Sequence, residues 1–144
     1  MPQRAIRAII GDQNPVTTSS DITVAAAARL MKQNRIGALL VVDGGRLAGI
    51  FTERDALFRV VAEGRDPAAT RISEVMTRNP RTIEPDRPFG HALHLMYEGG
   101  FRHVPVVEDT RPIGMVSTRD ALGPDLQQFI ADLDTRTHIG EILG

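Results

Sequence analysis

The sequence contains no cysteine, no tryptophan and only one tyrosine. Without cysteine the chain cannot form disulfides, thiolate nucleophiles or Cys-ligated zinc sites. The scarcity of aromatic rings leaves few platforms on which the bases of single-stranded nucleic acid could stack. These absences exclude thiol chemistry and disfavour binding to single-stranded nucleic acid.

The sequence also lacks an excess of either charge and any long apolar run. Lys and Arg together number 17 and Asp and Glu 18, interspersed along the chain, so the basic footprint typical of nucleic-acid binding is missing. The apolar runs last a few residues, far short of the roughly 20 that a membrane helix requires. The first residues show no secretory signal. We therefore expect a cytoplasmic protein with no nucleic-acid or membrane partner.

An internal repeat organises most of the chain. Residues 14–57 align without a gap with residues 79–122, at an offset of 65, and 15 of the 44 pairs are identical. A chain of 144 residues has the size of one ordinary domain. The two copies are therefore expected to pack together into one globule.

The sequence pattern of each copy predicts secondary-structure elements in the order β-α-β-β-α. An amphipathic helix follows Asp21 and Asp86, because apolar residues recur there at helical spacing. Runs rich in β-branched residues, separated by turns, then predict two strands per copy. These strands are residues 38–42 and 46–52 in the first copy and 104–107 and 111–117 in the second. A further helix is predicted to begin at Thr52 and at Ser117.

The resulting prediction is an α/β (α+β) fold of two pseudo-symmetric units, residues 6–66 and 67–123, followed by a helical tail at 124–144. Short apolar segments at 6–10, 72–77 and 139–143 are expected to be helices that pack onto the paired units. The tail places apolar residues at helical spacing and is expected to pack on the module or on a second copy.

A hydroxyl, an Arg and an Asp follow the last strand of each copy, as Thr52, Arg54 and Asp55 in the first. A hydroxyl followed three residues later by a carboxylate fits an N-terminal capping box, which explains the hydroxyl but not the repeated Arg. A helix N-terminus also attracts anions, an Arg can fork onto phosphate, and an Asp can accept from ribose hydroxyls. Gly49 and Gly114 would let backbone or ligand approach closely. The combination suits a ribose phosphate.

The doubled unit resembles a tandem pair of CBS (cystathionine β-synthase) domains, a Bateman module, over about residues 6–122. The resemblance is carried by G-h-x-[ST]-x-x-D at 49–55 and 114–120, T-x-x-x-D at 17–21 and 82–86, and the stretches FRHVPVV and ISEVMT. It implies a standalone regulatory or sensor module with clefts for AMP, ADP, ATP or NAD(H) and no obligatory cofactor. It also implies homodimers formed through helices, and a regulated partner protein that the sequence does not identify.

Position by position, the resemblance assigns nucleotide-binding roles in both copies. Asp55 and Asp120 would hold ribose hydroxyls. Thr52, Arg54, Ser117 and Arg119 would lie near phosphate. The base and phosphate sides of the clefts would be lined by Thr17, Gly37, Ala38, Thr82, Arg102 and His103.

The copies differ where the second strand begins. The second copy has Arg102-His103, and Pro105 fixes its backbone, where the first has Gly37-Ala38. We expect the cleft that uses Arg102 and His103 to prefer ligands with more phosphate charge. One cleft could draw residues from both copies, and the sequence leaves that assignment open.

Four other interpretations compete with nucleotide binding. His91 and His94 are three residues apart on a predicted helix, but no third ligand completes a metal site, and both are expected to point outward. No nucleophile with a base recurs in both copies, so the chain is expected not to be an enzyme. A ligand-free dimerisation module and an S-adenosylmethionine-binding pair stay as alternatives. The repeated Asp and hydroxyl argue against the first, and the repeated Arg argues against the second.

Overall fold

The computed structural model describes the backbone of residues 4–143 and the side chains of residues 4–135. The helices are α1 (Ile6–Ile10), α2 (Val24–Asn34), α3 (Glu53–Asp55, continued as a π-helix over Ala56–Val61), α4 (Phe89–Gly99) and α5 (Gly123–Leu143). The strands are β1 (Thr17–Thr18), β2 (Ala38–Asp43), β3 (Arg46–Thr52), β4 (Thr77–Arg78), β5 (His103–Glu108) and β6 (Arg111–Ser117). The 3₁₀ turns are Ile72–Glu74 and Thr118–Asp120. The predicted mixture of helices and sheets is confirmed.

The two repeats share an antiparallel hairpin and a segment that pairs in parallel with its first strand. In the first, β2 and β3 form an antiparallel hairpin, β1 runs parallel to β2, and β4 pairs antiparallel with β3. In the second, β5 and β6 form the hairpin, and Ile83 bridges in parallel to Val106 where the first repeat has β1. Both hairpins carry a register shift at equivalent positions, Val41/Val42 and Val106/Val107. The equivalent shifts show that the repeat in sequence is also a repeat in backbone geometry.

The segment that precedes each repeat packs into the core of the other one. Ile6 and Ile10 of α1 are buried among the side chains of α4, β5 and β6. Conversely, Ile72, Val75 and Met76 are buried with the side chains of α2, β2 and β3. The division of the chain at residues 66/67 stays a prediction, but hydrophobic packing crosses it in both directions and ties the repeats together.

The repeats differ in the helix that follows the last strand. In the first, helical backbone runs on from Glu53 to Val61. In the second, the single turn Thr118–Asp120 ends at Ala121, whose ψ of 130° is extended, and α5 begins anew at Gly123. Pro124 explains the break, because proline lacks the N–H that would continue the helix and is tolerated in a first turn. The helix predicted at Ser117 is therefore only one turn long.

Helix α5 packs along α4. The ring of Phe129 lies against the core of the second repeat, with its centroid 4.9 Å from that of His94. His94 Nε2 lies 3.3 Å from Asp132 Oδ2, and only 12% of the His94 side chain is exposed. The expectation that His94 points outward is therefore wrong, because α5 covers it, whereas His91 is exposed. The predicted helix at 139–143 lies within α5, and its side chains are outside the described ones.

Candidate ligand-binding cleft

The corner between β3 and α3 is built as a reciprocal capping box. The Thr52 hydroxyl accepts a hydrogen bond from the Asp55 backbone N–H at 3.2 Å. In return, Asp55 Oδ2 accepts from the Thr52 backbone N–H at 3.0 Å. The cap read from the sequence is thus present, and it fixes the orientation of the Asp55 carboxylate.

The two carboxylate oxygens of Asp55 have different environments. Oδ2 accepts the hydrogen bond of the cap, whereas Oδ1 makes two long contacts, a hydrogen bond from Thr77 Oγ1 at 3.5 Å and an ion pair with Arg59 Nε at 3.6 Å. Asp55 is 6% exposed. Oδ1 is therefore a preoriented acceptor, shielded from bulk water and weakly engaged, that can receive hydroxyl donors from a ligand.

Asp55 lies in the wall of a cavity of about 760 Å³, here called the Asp55 cavity. That volume falls within the range usual for small-molecule sites, about 300–1,000 Å³. The cavity draws on both repeats. It brings together six residues singled out in the sequence, namely Gly37, Thr52, Arg54, Asp55, Arg102 and His103.

The Asp55 cavity offers both apolar and cationic surface. Its apolar wall comes from Ile50, Leu57, Phe58, Pro80 and Phe101. Its cations include Arg54, whose Nη1 donates to the Gly100 carbonyl oxygen at 3.0 Å and whose guanidinium lies 5.7 Å from the centroid of the Phe58 ring. An acceptor, apolar rings and arginines converging on one cavity suit a ligand that carries hydroxyls, a flat ring and an anion.

A second cavity, of about 500 Å³, adjoins the first and is here called the Arg119 cavity. It contains Ser117 and Arg119 and shares Gly37, Arg102 and His103 with the Asp55 cavity. Burial lowers the pKa of His103 below its ordinary value. The Glu53 carboxylate opposes this lowering as the next largest influence, and the charges of Arg102 and Arg119 add to it, so the pKa of His103 stays below its ordinary value.

The other residues singled out in the sequence lie elsewhere. Thr82 lines a third cavity, of about 640 Å³, beside α4. Among the described side chains, those of Thr17, Ala38, Pro105 and Asp120 line none of these three cavities. Ala38 and Pro105 are buried in their strands, and Thr17 is exposed on β1, paired with Leu40.

The corner of the second repeat is built like the first but surrounded differently. Asp120 Oδ2 accepts from the Ser117 backbone N–H at 2.7 Å, so the capping box is again present. The Asp120 carbonyl oxygen accepts from Arg4 Nη2 at 2.9 Å, and the same nitrogen is ion-paired with Asp125 at the start of α5. The N-terminal segment and α5 therefore lie against this corner, and Asp120 caps its turn without lining any of these three cavities.

A family model for the CBS domain matches residues 6–62 and 72–123. The chain belongs to the CBS domain family. The mitochondrial CBS domain-containing protein CBSX3 of Arabidopsis thaliana is 38% identical over 109 residues, which cover 72% of this chain and 53% of that protein. This chain thus spans about half of the first curated relative and about a fifth of the next.

Solved structures share the arrangement of the two CBS repeats. A protein with CBS domains from Burkholderia ambifaria is 36% identical, with a TM-score of 0.76 and coverage of 88% of this chain and 93% of that one. The CBS domain pair of protein MJ0100 was solved with 5′-methylthioadenosine and S-adenosyl-L-methionine. It is 32% identical, with a TM-score of 0.75 and coverage of 83% and 93%. The fold is therefore that of a CBS pair, an architecture in which at least this neighbour holds adenosine-type ligands.

Both CBS motif glycines allow a neighbouring segment to lie close to the strand. A Cβ atom on Gly49 would lie 2.6 Å from the Thr77 carbonyl oxygen, so the absence of a side chain lets β4 lie against β3. At Gly114 the N-terminal segment comes close instead, and Gln13 Oε1 accepts from the Met115 backbone N–H at 2.7 Å. In both CBS repeats it is the chain itself, through a neighbouring segment, that fills the space left by the glycine.

Sequence reasoning missed several residues of the Asp55 cavity. Arg59 lies one helical turn after Asp55, and its Nη1 donates to the carbonyl oxygens of Val75 and Met76, each at 3.1 Å. Its i,i+4 spacing from Asp55 was a usable signal. Asn79 lines the cavity with a left-handed φ of 49°, uncommon outside glycine, and the repeated Asn-Pro pair was its signal.

Metal and membrane sites find no support among the described residues. No group of three or more His, Asp or Glu side chains there is arranged to hold a metal ion. Within the same part of the chain, no helix combines the length and apolarity needed to cross a bilayer.

Proposed function

We propose that this CBS pair is a regulatory module that binds an adenosine nucleotide in the Asp55 cavity. The observation that carries the proposal is the preoriented, weakly engaged Oδ1 of Asp55 in a cavity that also holds Arg54 and Arg102. The adenosine-type ligands in the CBS pair of MJ0100, 32% identical, support the choice of ligand class.

In this proposal the cavity has a complementary protein group for the ribose, the phosphates and the base of the nucleotide. The ribose hydroxyls donate to Asp55 Oδ1, and the phosphates are attracted by Arg54 and Arg102. The base packs against the apolar wall that includes Phe58 and Phe101. The arginines favour a phosphate-bearing ligand such as AMP, ADP, ATP or NAD(H) over S-adenosylmethionine, whose sulfonium is positive.

The proposed output is a change in how the two repeats sit against each other. Arg54 belongs to the first repeat, and its bond to the Gly100 carbonyl oxygen reaches the C-terminal end of α4 in the second. A phosphate that binds Arg54 would compete with this bond. The ligand-bound protein and the free protein would therefore favour different arrangements of the two repeats. We propose regulation of a partner in this way, and not catalysis, as the role of the chain.

The ligand class is tested by a thermal-shift series with AMP, ADP, ATP, NAD(H) and S-adenosylmethionine. Ligand binding to the native state raises the melting temperature by mass action. We expect the phosphate-bearing adenosine ligands to raise it, S-adenosylmethionine to raise it less, and GTP, as the control for the base, to leave it nearly unchanged. No shift with any adenosine ligand would refute the proposal in favour of a ligand-free interaction module.

We also propose that the module forms a homodimer through helices that end its repeats. Val61, the last residue of the π-helix that continues α3, is 67% exposed, and Ile130 on α5 is 56% exposed. Other large apolar side chains on the same helices are also exposed. Ile130→Asp combined with Val61→Asp is expected to convert a dimer into a monomer, measured as mass in solution. Gln127→Asp, an exposed change on the same helix, is the control. A monomeric wild type, or a dimer that survives the double change, would contradict the proposal.

A further inference from the structure

The Arg119 cavity concentrates positive charge. Four cationic side chains line it, those of Lys32, Arg35, Arg102 and Arg119. Against them stands a single carboxylate, that of Glu53. Within the described residues, none of the four cations takes part in an ion pair. Four cations facing one cavity without carboxylate partners create a positive potential that favours an anion.

Two of these four cations have no counterpart in the other repeat. Lys32 and Arg35 lie at the C-terminal end of α2, and their equivalents 65 residues later are Tyr97 and Gly100. Lys32 is also the only lysine in the chain. The internal repeat therefore does not account for the cluster, which the fold assembles from α2, the start of β5 and the turn after β6.

The Arg119 cavity lacks the features that suit the Asp55 cavity to a nucleoside. Asp120, the counterpart of Asp55, does not line it. It shares Gly37, Glu53, Arg102 and His103 with the Asp55 cavity, so the two cavities adjoin at these residues. At Gly37 a Cβ atom would lie 3.0 Å from Glu53 Oε1 and 3.5 Å from His103 Cε1, which places both side chains at the shared wall. A ligand group that leaves the Asp55 cavity past this wall meets cations.

We propose that the Arg119 cavity is a polyphosphate subsite, so that one nucleotide places its nucleoside against Asp55 and its outer phosphates among Lys32, Arg35 and Arg119. The inference rests on the proposed nucleotide function and adds its selectivity. A monophosphate ends near Arg54 and Arg102, whereas a triphosphate extends into the second cavity. Phosphate number, not the nucleoside alone, then decides affinity, and each chain takes one triphosphate.

Calorimetric titration of the full chain with AMP and ATP tests this subsite. We expect wild type to bind ATP at least about tenfold more tightly than AMP, with one ATP per chain. Arg35→Gln and Arg119→Gln should each weaken ATP binding about fivefold, because a partly exposed charge–phosphate contact is worth about one kcal/mol. The same changes should leave AMP affinity within about twofold. Arg29→Gln, an exposed position on α2 outside the cavity, is the matched control and should change neither.

Inorganic tripolyphosphate separates the subsite from the nucleotide proposal. It should bind wild type, compete with ATP, and be weakened by Arg35→Gln and Arg119→Gln. Equal losses for AMP and ATP in both variants, or two ATP molecules per chain, would overturn the subsite while leaving nucleotide binding intact. Tripolyphosphate binding without binding of any adenosine nucleotide would refute the proposed function and keep the anion site.

Discussion

Replacement of Asp55 by Asn is expected to weaken nucleotide binding about a hundredfold. The carboxamide can keep its oxygen on the Thr52 N–H and so retain the cap, but it turns the Oδ1 position into a donor. The ribose hydroxyls then lose a charged acceptor in a shielded site, where such a hydrogen bond is worth about 1.5–3 kcal/mol. Calorimetry with ATP measures the loss, and the melting temperature of the free protein checks that the fold is retained.

Asp120→Asn is the matched control for this variant. Asp120 holds the same motif position and accepts the same bond from the backbone N–H of Ser117. It lines neither the Asp55 cavity nor the Arg119 cavity, so its replacement should change ATP affinity by less than about twofold. Equal losses in the two variants would mean that the second corner also holds ligand, and an unaffected Asp55→Asn would reject the Asp55 cavity as the site.

Replacement of Gly49 by Ala is expected to lower the free energy of unfolding by about 3 kcal/mol, since forcing a methyl group into packed backbone costs about 1–3 kcal/mol. The added Cβ would lie 2.6 Å from the Thr77 carbonyl oxygen and 2.9 Å from Met76 Sδ. The backbone atom cannot rotate away, so β4 must separate from β3. Urea unfolding of the free protein measures the cost.

Gly114→Ala provides the comparison within the same chain. Its added Cβ would meet Gln13 Oε1 at 3.0 Å and Ile10 Cγ2 at 3.0 Å, which are side-chain atoms that can shift by a few tenths of an ångström. We expect a cost of about 1 kcal/mol, at the lower end of the range for added core methyl groups. If the Gly114 variant were destabilised as much as the Gly49 variant, the backbone contact would not be the cause.

The sequence by itself determined the repeated unit and its local chemistry. Two copies at one offset imply two copies of one strand–helix order, because the same apolar spacing selects the same elements. The capping boxes at Thr52 and Ser117 could be read directly, since the donor and acceptor are three residues apart and depend on no distant contact. Pro124 was a local signal for the short helix after Ser117. The prediction instead followed the first copy, in which the helix after Thr52 has no proline.

Only the tertiary structure decided which residues share a cavity. Arg54 and Arg102 line the same Asp55 cavity because α1 and the 72–76 segment each pack into the hydrophobic core of the other repeat and so hold the two repeats together. The two equivalent aspartates differ for the same reason, since Arg4 and α5 lie against the turn that holds Asp120 whereas the buried Asp55 lines the Asp55 cavity. Repeat spacing fixes what each copy can form, but long-range packing of the flanking segments breaks the symmetry between them.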